Sequence, residues 1–163
     1  YNSKPVIAEV NGVATAAGCQ LVASCDLAYS SNISLFATPG VNIGLFCSTP
    51  MVSLSRITKQ KHAMEMLLTG DLINADKAKE IGLINNVFDT NNLQGEVDIL
   101  ANKISKKSSL TLKIGKKAFY NQIEMKISDA YKYASEVMIK NMMEADSDEG
   151  IRAFIDKRQP KWN

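Results

Sequence analysis

Only three charged side chains, Lys4, Glu9 and Asp26, occur in the first 55 residues, whereas residues 101–163 carry thirteen bases and eight acids. A stretch so poor in charge has to supply interior strands and closely packed helix, and the charge-rich remainder supplies helical surface. With 163 residues the chain suits one compact domain with a real core and leaves little room for two. Residues 6–10 read as a buried strand and Asn11-Gly12 as a turn. The small-residue run Ala14-Thr15-Ala16-Ala17-Gly18 then leads into a helix of about two turns through Cys25. Residues 26–30 and 35–37 read as further short strands, and Pro39-Gly40 forces a turn that Gly44 closes. Pro50 opens a helix to Ile57, and residues 59–68 form another that stops at Gly70. Asn74 caps a short helix ending before Gly82, and residues 83–88 read as the last strand.

Beyond Asn91 the period becomes helical. Leu93, Val97, Leu100 and Ile104 make one stripe, and Leu110, Ile114 and Ala118 a second. Ile127, Tyr131, Ala134, Met138 and Met142 make a third, with Ile151, Phe154 and Ile155 a short fourth. The expected fold class is α/β: a core of short strands and helices over residues 1–90, then an all-helical region over 91–163. The helical region has more apolar stripe than a lone domain requires, which predicts contact with a partner.

Composition narrows the function classes. A net charge of +2 from 19 bases and 17 acids argues against a nucleic-acid binder. Three cysteines without a CxxC spacing, and a single histidine, make neither a zinc constellation nor a disulfide framework, so no metal is expected and a reducing compartment is. No apolar run reaches the roughly 18 residues of a membrane span, and no secretory signal opens the chain. The expectation is an intracellular protein without a membrane span. Because a buried-strand pattern begins within a few residues of Tyr1, an N-terminal part of a larger protein is also expected to precede it.

Individual reactive side chains carry little. His62 lies among Lys59, Gln60 and Lys61 on a surface-type helix and reads as a bystander. Cys19 and Cys25 fall in a buried small-residue helix and read as packing, since a thiol needs an accessible, electropositive setting to ionise. Cys47, after a glycine-containing turn, is also read as packing. The helix start at Ala16-Ala17-Gly18 is more informative. Its free backbone N–H groups can hold a developing oxyanion, and its small side chains let a carbonyl approach; tight helix packing explains the same residues equally well.

The flanks add specificity. Lys4-Pro5-Val6-Ile7-Ala8-Glu9-Val10-Asn11-Gly12, Ala17-Gly18-Cys19-Gln20-Leu21, Cys25-Asp26, Phe36-Ala37-Thr38-Pro39 and Gly44 resemble the crotonase (enoyl-CoA hydratase/isomerase) superfamily. Ala63-Met64-Glu65-Met66-Leu67-Leu68-Thr69-Gly70, Ala75, Ala78, Gly82-Leu83-Ile84 and Glu149-Gly150-Ile151-Arg152-Ala153-Phe154 continue it in order, so the resemblance covers essentially the whole chain. Residues 14–26 and 36–49 are most similar to its enoyl-CoA hydratase domain-containing protein 3 subgroup, often mitochondrial.

The resemblance implies a crotonase-like spiral of short strands and helices, assembled as a homotrimer or hexamer. It implies an acyl-CoA ligand, with coenzyme A part of the substrate and no separate cofactor. It puts one oxyanion donor at the N–H of Ala17, beside Gly18. The two glutamates that hydratases use as acid and base fall at Gln20 and Gly40, so both carboxylates are absent. Phe46, Cys47 and Ser48 would line the acyl site, while Phe154 and Lys157 match the C-terminal segment whose aromatic and basic residues contact coenzyme A. By the same resemblance the second oxyanion donor would lie upstream of Tyr1. Two functions are implied: an enoyl-CoA hydratase/isomerase-like protein acting on thioesters through an unidentified proton carrier, or a catalytically weak acyl-CoA binding or regulatory protein of fatty-acid metabolism. Restoring both glutamates should raise the hydration rate, with strain at position 40 if that glycine has positive φ. The implied location is the mitochondrial matrix for a eukaryotic source and the cytoplasm for a bacterial one.

Overall fold

A computed structural model describes residues 2–162. They divide into two compact units, Val6–Ala101, and residues 102–162 with residues 2–5.

The first unit contains two small sheets. In one, β1 (Ile7–Val10), β3 (Leu27–Ser31) and β6 (Asn86–Phe88) run parallel in the order β1-β3-β6, with Ile7 opposite Leu27 and Tyr29 opposite Asn86. In the other, β2 (Val13–Thr15) runs parallel to β4 (Leu35–Ala37), which pairs antiparallel with β5 (Ile73–Asn74). Around them lie α1 (Ala17–Ser24), a 3₁₀ helix (Pro39–Ile43), α2 (Ser48–Ile57), α3 (Gln60–Thr69) and α4 (Ala75–Glu80). Phe36, Leu54, Leu67 and Ala78 are fully enclosed, with Cys19, Val22, Cys47, Met66, Leu83 and Ile84 packed in the same core.

Residues 13–15 form a strand, not an approach to the helix, because β4 offers them a parallel ladder. Pro50 is the third residue of α2, where the first-turn N–H it lacks has no helical acceptor anyway. The last strand begins at Asn86, since the N–H groups of Leu83 and Ile84 are turned back onto the Ala78 carbonyl. Asn74 caps α4 as expected, accepting from Lys77 N at 2.9 Å, and Gly44 closes the 3₁₀ helix at φ 77°.

A buried hydroxyl ties the two sheets' turns together. Ser34 Oγ donates to the Val10 carbonyl at 2.8 Å and accepts from Gly12 N at 3.2 Å, so in its 2.8 Å contact with Ser31 Oγ the proton is supplied by Ser31.

Helix α5 (Leu93–Ser105) carries the chain into the second unit, which holds α6 (Ser109–Gln122), α7 (Ile127–Met142) and α8 (Ala145–Ile155). Ser108 caps α6, accepting from Thr111 N at 3.0 Å, and its hydroxyl donates to the buried Asp146 carboxylate of α8 at 2.5 Å. Asn121 Nδ2 donates to the Tyr133 hydroxyl and links α6 to α7. The stripe of Ile127, Tyr131, Met138 and Met142 is exposed along α7. Among the described residues no helix is long and apolar enough to cross a membrane.

Candidate functional site

The start of α1 is held in an unusual conformation. Ala16 adopts φ 48°, ψ −113°, a region that L residues rarely occupy. Such a residue persists only where its surroundings over-determine it. Here the Ala16 N–H donates to the Ala37 carbonyl at the end of β4, and the Ala16 carbonyl accepts from Gln20 N, both at 3.0 Å. The consequence is an abrupt passage from β2 into α1. It leaves the N–H groups of the exposed Gly18 and its neighbour Ala17 in the first helical turn, where no intrahelical acceptor exists. The same N-terminus carries the positive end of the helix dipole.

The Ala37 carbonyl leads directly into the second part of the site. After the buried Thr38 comes the 3₁₀ helix, and the Gly40 N–H donates to Cys47 Sγ at 3.3 Å. Position 40 has no room for a side chain: a Cβ there would lie 2.5 Å from the Leu45 carbonyl oxygen and 2.9 Å from Cys47 Sγ. Gly40 is not among the residues of positive φ, so the obstacle is occupied space, not the backbone strain that a positive φ would have brought. Cys47 precedes α2, is 8% exposed, and neighbours Cys19 of α1 closely enough to act on it electrostatically. Burial, with a smaller contribution from Cys47, pushes the Cys19 thiol up to about 11. A neutral thiol of this kind packs and does not attack.

Gln20 lies one turn into α1, half-buried, and its carbonyl accepts from Ser24 Oγ at 2.7 Å and from Ser53 Oγ of α2 at 3.4 Å. Phe46 and Ser48 are exposed at the start of α2, with Ser48 N and Oγ both donating to the Phe46 carbonyl. Ala17, Gly18, Gln20, Gly40, Phe46, Cys47 and Ser48 therefore all belong to the Val6–Ala101 unit, on α1, the 3₁₀ turn and the segment that leads into α2. Gly18 also lines an open groove of about 480 Å³ with Leu21, half-buried Cys25 and strands β1 and β2. Asp26 is structural, its carboxylate accepting from Val6 N at 2.6 Å, and Glu9 is exposed on β1.

Phe154 and Lys157 lie in the other unit, at the C-terminal end of α8, both exposed. His62 is half-buried beside a cavity of about 150 Å³, with its Nδ1 4.0 Å from Glu65 Oε2 and Asp71 and Lys77 on the same wall. No group of three His, Cys, Asp or Glu side chains among the described residues could hold a metal ion. The sequence marks Ala16-Ala17-Gly18 as a helix start but not the strain at Ala16, and it gives no sign of Leu45. Neither type signals its role, since one acts through a backbone angle and the other through a carbonyl oxygen.

Residues 2–163 match the family model described as enoyl-CoA hydratase/isomerase. The chain is 53% identical over 158 residues to the mitochondrial enoyl-CoA hydratase domain-containing protein 3 of Xenopus laevis, covering 97% of this chain and 54% of that protein. The crystal structure of human enoyl Coenzyme A hydratase domain-containing protein 3 superposes with a TM-score of 0.97 at 50% identity, covering 99% of this chain and 64% of that one. An enoyl-CoA hydratase from Mycobacterium smegmatis gives a TM-score of 0.96 at 49% identity, over 98% of this chain and 62% of that one. The chain spans about half the length of the relatives it matches by sequence.

Proposed function

The chain belongs to the enoyl-CoA hydratase/isomerase family and has its α/β crotonase fold, and from that premise we propose that it binds an acyl-CoA thioester and polarises the carbonyl without the family's paired carboxylates. The observation that carries this reading is the pinned Ala16 backbone, which opens α1 abruptly at Ala17. A backbone donor survives any exchange of side chain except to proline. One such donor is typically worth about 10²–10³ in rate when negative charge develops on the oxygen it faces.

Hydration needs more than a polarised carbonyl. A base must take a proton from water and an acid must deliver one to the α-carbon, and each such group typically contributes about 10²–10⁴. In our reading the acid and base positions are Gln20, which cannot titrate, and Gly40, which has no side chain. The packing of Leu45 and Cys47 against Gly40 supports a loop shaped around the absence of a carboxylate. Cys47 and Ser48 then serve as small polar lining for the acyl end, next to Phe46, and Phe154 and Lys157 contact the coenzyme A portion. The exposed α7 stripe suits a homotrimer or hexamer. The word mitochondrial in the relatives' names supports the mitochondrial matrix for a eukaryotic source.

A second reading rests on chain length. Because the chain spans about half of its relatives, a proton carrier outside residues 1–163 would make the whole protein a hydratase or isomerase. Binding of a ¹³C-carbonyl acyl-CoA to the full-length protein tests the primary proposal. A downfield shift of the bound carbonyl resonance is expected, and tight binding with an unshifted resonance would overturn carbonyl polarisation.

A further inference from the structure

Lys157 has φ 54°, the left-handed conformation that normally selects glycine at a helix end. Its N–H donates to the Phe154 carbonyl at 3.3 Å, and Arg158 N donates to the Ala153 carbonyl at 3.0 Å, so α8 ends in a Schellman motif with lysine in the glycine place. Residues 158–162 are strapped back onto the same helix. Arg158 grips Glu149 with two parallel bonds, 2.7 Å to Oε1 and 2.9 Å to Oε2, and Glu149 Oε1 also accepts from Lys161 N at 2.7 Å. Trp162 lays its ring against Gly150, where an added Cβ would lie 3.4 Å away, and its indole N–H donates to the Lys106 carbonyl at 2.8 Å. The bond from Arg158 holds the Glu149 carboxyl down at about 2, with the Lys161 N–H adding to it, so it stays charged at any ordinary pH.

A side chain kept in a costly backbone conformation by a dedicated set of contacts points to a requirement for its position. Glycine would end α8 without strain, but it could not present an ammonium group three residues after the fully projecting Phe154, which is 85% exposed. We propose that Glu149 is a positioning residue: by latching Arg158 and Lys161 it fixes the αL turn at Lys157, and with it the direction in which Lys157 meets the anionic part of the ligand. This rests on the acyl-CoA reading above. Glu149 itself touches no ligand.

The test uses the full-length protein, free coenzyme A as the probe, and hydrogen exchange of the amides at 157–161. Wild type binds coenzyme A, and Lys157→Ala weakens it about tenfold with a shallower salt dependence. Glu149→Ala accelerates exchange across 157–161, weakens binding to the same degree with the same loss of salt dependence, and adds nothing when combined with Lys157→Ala. Glu149→Gln, which keeps an acceptor for Lys161 N, lies between. If Glu149→Ala does not fold, Arg158→Gln releases the same latch from its exposed side and should behave alike. Wild-type protein that does not bind coenzyme A would overturn the acyl-CoA reading itself. If wild type binds, three results overturn the latch alone: Lys157→Ala without effect, unchanged exchange in the latch variants, or faster exchange with wild-type affinity.

Discussion

The Gly40 N–H donates to Cys47 Sγ across 3.3 Å, and the place where a side chain at position 40 would begin is closed off by this sulfur together with the Leu45 carbonyl. A Cβ there meets the Leu45 carbonyl oxygen at 2.5 Å before it meets the sulfur at 2.9 Å.

Gly40→Ala is therefore expected to destabilise the protein by about 1–3 kcal/mol, the usual range for forcing a methyl group into a filled site. Adding Cys47→Ala should not rescue it, because the nearer obstacle is backbone. Denaturant unfolding of the single and double variants checks this; a neutral Gly40→Ala would show that the loop yields freely. For the same reason Gln20→Glu with Gly40→Glu displaces the loop and does not simply rebuild a hydratase site.

Cys19 should be the least reactive of the three thiols. It is 1% exposed, and with its thiol at about 11 only about one molecule in a thousand is thiolate at pH 8. Iodoacetamide labelling of the native protein followed by peptide mass analysis should modify half-buried Cys25 well before Cys19. The raised value also sets a sign for stability. The unfolded thiol ionises near 9.0 and the folded one near 11, so this contribution is intact below pH 9 and is lost as pH rises towards 11. A rise from 9.0 to about 11 corresponds to about 3 kcal/mol. Over that range the stability of wild type should fall more steeply than that of a Cys19→Ala control, and equal slopes would contradict the assignment.

Ala16→Gly should raise stability by about 1 kcal/mol, since glycine occupies φ 48° without the penalty that alanine carries. In a domain of this size that is a rise of about 2–4 °C in Tm. A fall in Tm would contradict the strain assigned to alanine at this position.

The features legible in the sequence are those that neighbouring residues determine. Asn74 as a cap, Gly44 and Gly70 as helix ends, and the stripes of α5 to α7 arise from side-chain chemistry within a few positions. Strands β2 and β5, of three and two residues, are too short to show an alternating period and exist because β4 pairs with both. The site divides the same way. The small residues at Ala16-Ala17-Gly18 advertise a close approach, whereas the strain at Ala16 depends on a carbonyl of β4. The fit of Leu45 and Cys47 against Gly40 depends on the 3₁₀ turn folding back, and Lys157 stands where sequence rules ask for glycine.

If this site binds and polarises an acyl-CoA thioester but lacks the groups that move protons, binding and turnover must come apart. The direct measurement is the steady-state rate of crotonyl-CoA hydration by the full-length protein, taken alongside its affinity for an acyl-CoA. Clear binding is predicted, with turnover several orders of magnitude below that of a two-glutamate hydratase. Robust hydration by the unmodified protein would contradict the proposal and would require a proton carrier other than Gln20 and Gly40.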